Sequence, residues 1–261
     1  MLSYQHGFHA GNRADVLKHA ALDAILREET RAASPIFYIE THSGRGQYDL
    51  TGQDAQKTDE ARHGIIRLLG GDPPRPLRSW TDLVDAQGVT AYPGSPQLAA
   101  LHLRDKDRMA FFERHPTELK ALKDVFADDD RALVRSGDGY SGALRLSPRR
   151  GERMIVFIDP SYETMDDMEA LAEWAPRALN RWPEAAIIIW LPLFTDEREA
   201  DFGAFLADLE DGYVAGARWP TDPDIETALS GTAIVAYRIQ AQSGEQMTKI
   251  AASLQSYWSG S

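Results

Sequence analysis

Asp159, Pro160, Ser161 and Tyr162 follow directly on the apolar run Met154-Ile155-Val156-Phe157-Ile158. A buried parallel strand that breaks abruptly into Asp-Pro-Ser-Tyr presents a carboxylate, a fixed carbonyl and a flat ring at one point. Those groups suit the alkylation of an exocyclic aromatic amine. The nitrogen lone pair of such an amine is delocalised into its ring, so a catalyst must accept hydrogen bonds from the N–H groups and rehybridise the nitrogen. Asp159 supplies one acceptor, and the Pro160 carbonyl, held by the fixed φ of proline, supplies another. Tyr162 offers a face on which an unstacked base can lie. The same four residues also read as ordinary turn punctuation, and only what the rest of the chain brings to the same place separates the two.

A second apolar strand, Ile36 to Glu40, runs into Thr41-His42-Ser43-Gly44-Arg45-Gly46. Gly44 and Gly46 there allow backbone to approach a nucleotide-like ligand closely. It is not a dinucleotide fingerprint, because Asp49 stands where the third glycine belongs. Residues 57–69 and 77–86 read as helices that interrupt the βα rhythm. This predicts a helical insertion over 51–91 within a domain made of 1–50 and 92–261. Tyr92-Pro93-Gly94-Ser95-Pro96 opens a helix with Ser95 as N-cap. A strand over 108–112 ends at Glu113, and one over 132–135 ends in Ser136-Gly137-Asp138-Gly139. Each of these acids serves equally well as a ligand contact or a helix cap. A helix over 163–181, kinked or divided at Pro176, precedes a strand over 185–191. Thr195 is expected to cap the following helix, and two closing strands and a last amphipathic helix complete the chain. Ligands in open α/β sheets bind at strand carboxyl ends, so Glu40, Gly44, Gly46, Glu113, Asp138 and Asp159 to Tyr162 are expected to converge on one crevice.

At the amino end, Tyr4, His6, His9, Asn12, Lys18 and His19 crowd into nineteen residues. Asn12 and Asp15 have capping-box spacing for a helix over 13–29. Zero cysteines exclude disulfides, thiolate catalysis and cysteine-ligated zinc, and no histidine set has ligand spacing, so no metal is expected. No apolar run approaches a membrane span, and the first six residues lack a secretory pattern, which predicts a cytoplasmic protein without membrane attachment. The net charge of −12 counts against non-specific nucleic-acid binding. The charge is segregated. Residues 193–226 hold ten acids against Arg198 and Arg218, while Arg145, Arg149, Arg150 and Arg153 oppose only Glu152 just ahead of the key strand. Those arginines give either a basic approach to the strand end or a solvated loop.

Met1-Leu2-Ser3-Tyr4-x-His6, Phe8-His9-Ala10-Gly11-Asn12, Ala14-Asp15-Val16-Leu17-Lys18-His19, Glu40-Thr41-His42-x-Gly44-x-Gly46, Tyr92-Pro93-Gly94-Ser95-Pro96, Glu113-x-His115-Pro116 and Asp138-Gly139 together resemble the bacterial 23S rRNA (adenine-N6)-methyltransferase J family. The resemblance extends to about residue 192 and thins in the acidic last third. It implies a class I methyltransferase Rossmann-like α/β sheet, mostly parallel with an antiparallel C-terminal edge pair. It implies S-adenosyl-L-methionine as cofactor, held by His19, His42, Ser95, Glu113, Asp138 and Gly139 with the Gly44/Gly46 loop. Asp159 is shared between the cofactor pocket and catalysis. Glu113 would take the ribose hydroxyls and Asp138 the adenine amine. Lys18, Tyr4 and His6 would face the substrate, which is protein-free or early-assembly 23S rRNA, met by a monomer. One departure is Ser161, where the family motif carries a second proline. It frees one φ and adds an N–H and a hydroxyl without removing either acceptor.

Two rival readings remain on the residues alone. The motif recognises a planar amine rather than RNA, which leaves DNA adenine or a glutamine side chain as substrates. Ser161 and the acidic surface also fit a cofactor-binding RNA chaperone with weak chemistry. An NAD-dependent dehydrogenase is disfavoured by the missing third glycine.

Overall fold

Ile36–Glu40 (β1), Arg153–Ile158 (β6) and Ala186–Phe194 (β7) form the centre of the sheet. The computed structural model describes residues 6–162, 165–220 and 228–260. β1 is buried at every position and β6 and β7 at nearly every one, which matches their unbroken apolar runs, since a parallel strand covered on both faces has no solvent side to be polar for. Arg108–Glu113 (β4) and Ala132–Ser136 (β5) extend the sheet on one side, and Gly212–Arg218 (β8) and Leu229–Tyr237 (β9) complete it on the other. The order is β5-β4-β1-β6-β7-β9-β8. β1, β4, β5, β6 and β7 pair in parallel, and β9 runs antiparallel to both β7 and β8. Counted within this sheet the order is 3-2-1-4-5-7-6. It departs from the doubly wound dinucleotide order only by the last strand, which enters antiparallel between the fifth and sixth. That is the class I methyltransferase arrangement. β9 is therefore interior, and only β8 of the closing pair lies at the edge.

Helix Arg13–Glu29 (α1) spans the predicted residues and is buried along most of its length, against β9 and the last helix, Ala241–Ser259 (α11). Its start is fixed as the sequence suggested. Asn12 Oδ1 accepts from the Asp15 N–H at 2.9 Å, and Asp15 Oδ2 accepts from the Gly11 N–H at 2.9 Å.

After β1 the chain makes a two-residue strand, Gln47–Tyr48 (β2), which pairs antiparallel with Tyr92–Pro93 (β3). Between them the structure corrects the expected helix over 57–69. Gln53–Thr58 (α2), Glu60–His63 (α3) and Ile65–Leu69 (α4) are three short helices. Asp59 turns left-handed at φ 54, and Gly64 sits so close to the Gly11 carbonyl that a Cβ there would lie 2.1 Å from it. Propensity favoured one helix, and packing against the residues ahead of α1 broke it. Arg78–Gln87 (α5) follows.

Three further local expectations change. Gly94 rather than Ser95 occupies the N-cap of Ser95–His102 (α6), and the Ser95 hydroxyl turns inward instead. Met165–Arg181 (α9) continues through Pro176. Thr195 caps no helix. Its N–H donates to the Ala228 carbonyl, and Ala200–Asp208 (α10) begins later. Pro116–Val125 (α7) and Gly139–Leu144 (α8) occupy the remaining crossovers. Among the described residues no helix is long and apolar enough to cross a membrane.

Candidate active site

The carboxyl ends of β1, β4, β6 and β7 open on a cavity of about 510 Å³, which α1 and the Gly94-Ser95 turn wall from the other side. This is the crevice where the strand order reverses about β1, the place a ligand is expected in an open α/β sheet.

Asp159 stands one residue past β6. Its Oδ2 accepts from Lys18 Nζ at 2.8 Å, and Lys18 also contacts Asp15 Oδ1 at 2.8 Å. Lys18 is only 2% exposed, and its ammonium lies 5.0 Å from the centre of the Trp190 ring. Burial alone would lower the pKa of this lysine, but Asp15 and Asp159 overcome burial and raise it above the ordinary lysine range. The lysine therefore stays charged and fixes the rotamer of Asp159. Oδ1 of Asp159 takes no hydrogen bond from the described residues, and Asp159, Pro160 and Ser161 all line the cavity.

Tyr162 ends the motif in the left-handed region at φ 50, a conformation that costs a β-carbon residue on the order of 1 kcal/mol. Its hydroxyl donates to the Trp190 carbonyl at 2.7 Å, and its ring packs tilted against Trp190 with centroids 5.5 Å apart. The ring lines the cavity but is 7% exposed. The tyrosine is thus a wall tied to β7 on one side, narrower as a stacking surface than a freely presented ring.

Gly44 and Gly46 carry φ of 63 and 82, which explains glycine at both positions. The Gly44 N–H donates to Glu113 Oε2 at 2.8 Å and the His115 N–H to Glu113 Oε1 at 2.6 Å, so two backbone donors aim that carboxylate. Gly44 lines the cavity. Gly46 stands behind it, its carbonyl accepting from the Gly94 N–H at 2.9 Å. That bond ties the loop to Ser95, whose hydroxyl donates to Glu40 Oε2 at 3.2 Å. Tyr38 donates to Glu40 Oε1 at 2.6 Å. Glu40 is fully buried, and burial pushes its carboxyl well above the usual carboxylate range, with both hydroxyls opposing. It serves as a buttress behind the cavity rather than as a surface of it. His19 Nδ1 meets the Tyr92 hydroxyl at 2.9 Å.

His42 packs edge-on to Tyr140, with centroids 4.8 Å apart, and its Nδ1 lies 2.9 Å from Thr41 Oγ1. Burial lowers its pKa to about 4; Asp138 opposes the shift and Arg114 adds to it. Asp138 itself is the N-cap of α8, accepting from the N–H groups of Tyr140 at 3.3 Å and Ser141 at 3.0 Å. Gly139 lies beside it because a Cβ would come within 1.8 Å of the Thr41 carbonyl. Neither Asp138 nor Gly139 lines the cavity directly; both stand behind Thr41 and His42. Tyr4 and the side chain of His6 lie outside the described residues.

The structure thus gathers Lys18, His19, His42, Gly44, Ser95, Glu113, Asp159, Pro160 and Tyr162 around one cavity. It adds four residues to which the sequence assigned no role in the site. Asp15 shares Lys18, a pairing that its i,i+3 spacing could have disclosed. Trp190 backs both Lys18 and Tyr162, and no local signal separates it from a core tryptophan. Ser43 Oγ and His115 Nδ1 are buried without a hydrogen-bond partner among the described residues, and both residues line the cavity on either side of Glu113. Orphaned polar atoms of this kind fit a polar ligand. With an aimed carboxylate, an uncharged histidine and apolar walls from Phe112 and Tyr162, the residues fit a nucleoside-bearing cofactor.

Of the two readings of the basic run, the approach to the strand end fails here. Arg145, Arg149, Arg150 and Arg153 precede β6 and so lie toward the opposite end of the sheet from the cavity. Arg153 pairs in register with Ile36, the first residue of β1, and its guanidinium holds Glu29 at 3.0 Å. Glu152 is bound by Arg108 at 2.7 Å. These contacts staple Arg153 and Glu152, while Arg145, Arg149 and Arg150 are exposed as in a solvated loop, and none of the four arginines approaches the strand end.

Residues 33–216 match the family model described as "RsmJ: Ribosomal RNA large subunit methyltransferase D, RlmJ". Two relatives carry the name ribosomal RNA large subunit methyltransferase J. The Escherichia coli (strain K12) protein is 34% identical over 198 residues, which cover 74% of this chain and 71% of the relative. The Haemophilus influenzae protein is 35% identical over 199 residues, with the same shares. The crystal structure of protein LPL1258 from Legionella pneumophila str. Philadelphia 1 superposes with a TM-score of 0.85 at 27% identity, over 96% of this chain and 94% of that one. On the matched span and these identities, the chain belongs to the ribosomal RNA large subunit methyltransferase J family.

Proposed function

We propose that this protein methylates the N6 amine of one adenine in 23S ribosomal RNA, with S-adenosyl-L-methionine as methyl donor. The observation that carries this reading is the Asp159 carboxylate, which lines the cavity beside Pro160, is held through Oδ2 by Lys18 and has Oδ1 without a hydrogen bond from the described residues. Oδ1 and the Pro160 carbonyl would accept the two N–H groups of the amine, turning its lone pair out of ring conjugation. Lys18 keeps Asp159 in the accepting rotamer, and Tyr162 with Trp190 walls the base. When bound, S-adenosyl-L-methionine supplies a methyl group already activated by its sulfonium. Positioning and electrostatics are then sufficient for catalysis. Glu113, His42, Ser43, His19 and Ser95 would hold it, with Asp138 and Gly139 shaping the wall behind. Tyr4 and His6 belong on the substrate side. Residues 51–91 form a helical insertion in this reading, and the enzyme works as a monomer on protein-free or early-assembly 23S rRNA in the cytoplasm.

Transfer of labelled methyl into naked 23S rRNA, with DNA and protein as parallel acceptors, tests the substrate. Asp159→Ala should lower the turnover number on rRNA by about 10²-fold or more, while cofactor affinity measured by calorimetry stays within about tenfold. Undiminished turnover in that variant refutes the mechanism. Mass mapping of 23S rRNA from cells with and without the gene locates the modified adenine.

A further inference from the structure

The residues immediately ahead of α1 are held on the insertion by a dense set of contacts. Glu60, the first residue of α3, accepts from Asn12 Nδ2 through Oε2 at 2.8 Å and meets His9 Nδ1 through Oε1 at 2.7 Å. Around that pair, Lys57 Nζ lies 4.8 Å from the centre of the Phe8 ring, and Thr58 Oγ1 donates to the Phe8 carbonyl. The Ile65 N–H donates to the Gly11 carbonyl at 2.9 Å, and Gly64 packs against the backbone of Gly11 and Asn12. His9, Asn12 and Glu60 all line the cavity.

The bonds do not stop at Asn12. Its Oδ1 accepts from the Asp15 N–H at 2.9 Å, Asp15 Oδ1 contacts Lys18 Nζ at 2.8 Å, and Lys18 Nζ contacts Asp159 Oδ2 at 2.8 Å. A continuous line of hydrogen bonds therefore runs from the insertion, through the cap and first turns of α1, to the motif carboxylate. Each link sits on backbone or on a side chain with limited freedom, because Asp15 is 1% exposed and Lys18 2%. A carboxylate fits position 60 for a physical reason. It has two oxygens, one for each of two donors that diverge from it, and its charge complements a protonated His9.

We propose that Glu60 is a positioning residue for methyl transfer: by anchoring Asn12 and His9 it sets the cap of α1, and through Asp15 and Lys18 the orientation of Asp159. The insertion is then a part of the catalytic frame, and whatever displaces α3 acts on Asp159. This inference rests on the methyltransferase reading above for its activity measurement, and the test separates the two.

Glu60→Ala should lower the turnover number on naked 23S rRNA at saturating cofactor by about tenfold, with cofactor affinity and rRNA KM within about threefold of wild type. Glu60→Gln should recover most of the loss, because its oxygen still accepts from Asn12 while its amide faces His9. Asn12→Ala combined with Glu60→Ala should lower turnover no further than the more damaging single change, since both cut the same line. Unchanged turnover in Glu60→Ala overturns the proposal, as does a loss shared evenly with cofactor affinity and Tm, which marks a general folding defect. Crystal structures of the wild type and Glu60→Ala supply an arm that needs no rRNA: the Lys18–Asp159 contact should lengthen or change rotamer in the variant, and an unmoved Asp15–Lys18–Asp159 set overturns the inference. Absence of rRNA turnover in the wild type overturns the functional reading instead.

Discussion

At neutral pH, His42 enters the cavity uncharged, because burial holds its pKa near 4 against the pull of Asp138. With Nδ1 engaged by Thr41 Oγ1, the neutral ring has its other nitrogen left for a ligand and carries no charge for a sulfonium to repel. Its titration is also a stability statement. Between the ordinary histidine pKa of about 6.5 and the folded value, the unfolded chain binds more protons than the folded one. The contribution from His42 is therefore fully present above that window and is lost as the pH falls through it. NMR titration of the His42 ring should give a midpoint close to 4, and a midpoint near 6.5 would contradict the buried environment. Lys18 shows the opposite balance, since its two carboxylate neighbours outweigh its burial and keep it charged. Removing one partner of such a buried set leaves an uncompensated charge, so substitutions at Asp15 should weaken folding as well as orientation.

Two elements meet backbone to backbone behind the cavity, where α8 begins against the end of β1. Gly139 makes that approach because a Cβ would lie 1.8 Å from the Thr41 carbonyl and 2.5 Å from its carbon. Both near atoms are backbone, so the strand end or the helix must move. Gly139→Ala should destabilise the protein by about 1–3 kcal/mol in urea unfolding and weaken cofactor binding through displaced Thr41 and His42. Full stability together with wild-type affinity in that variant would show that α8 can shift without cost. The broken helices α2, α3 and α4 teach a related lesson. Their sequence supports one helix, but the left-handed Asp59 and the close contact at Gly64 let the segment fold around residues 8–12. Element boundaries here follow from the partner they dock on.

Across the whole molecule the charge distribution limits how RNA is held. The net charge is −12, and many arginines are engaged in internal ion pairs: Arg104 with Asp107, Arg108 with Glu152, Arg131 with Asp129, Arg153 with Glu29 and Arg238 with Glu210. The exposed cations outside such pairs are scattered rather than gathered at the cavity: Arg114 stands at its rim, while Arg145, Arg149 and Arg150 lie toward the opposite end of the sheet. Affinity for an rRNA fragment should therefore depend weakly on salt. Fluorescence anisotropy over a salt series should give a log–log slope shallower than about −3, and a slope of about −6 or steeper would reveal a basic surface.

The sheet was legible in the chain because buried parallel strands must be apolar on both faces. Ile36–Glu40 and Arg153–Ile158 therefore announce themselves, and the order of their polar ends predicts a single crevice. Asp159, Glu113 and the Gly44/Gly46 loop could be placed on that crevice for the same reason: strand direction fixes which end a residue occupies. Side-chain partners were not legible, because they depend on separations in space that the sequence does not order. Ser95 has the chemistry of a cap, yet in the folded chain its hydroxyl turns to Glu40. Arg145 to Arg153 sit next to the motif in sequence but toward the other end of the sheet, since a strand of six residues lies between. Lys18 and Asp159, 141 positions apart, meet at 2.8 Å. The chain by itself determined the strands, their polar ends and the chemistry those ends can do. Only the tertiary structure decided which carboxylate Lys18 holds, that Trp190 and Ser43 face the cavity, and that Glu60 reaches the helix cap, because such pairings are set by packing across layers and not by local pattern.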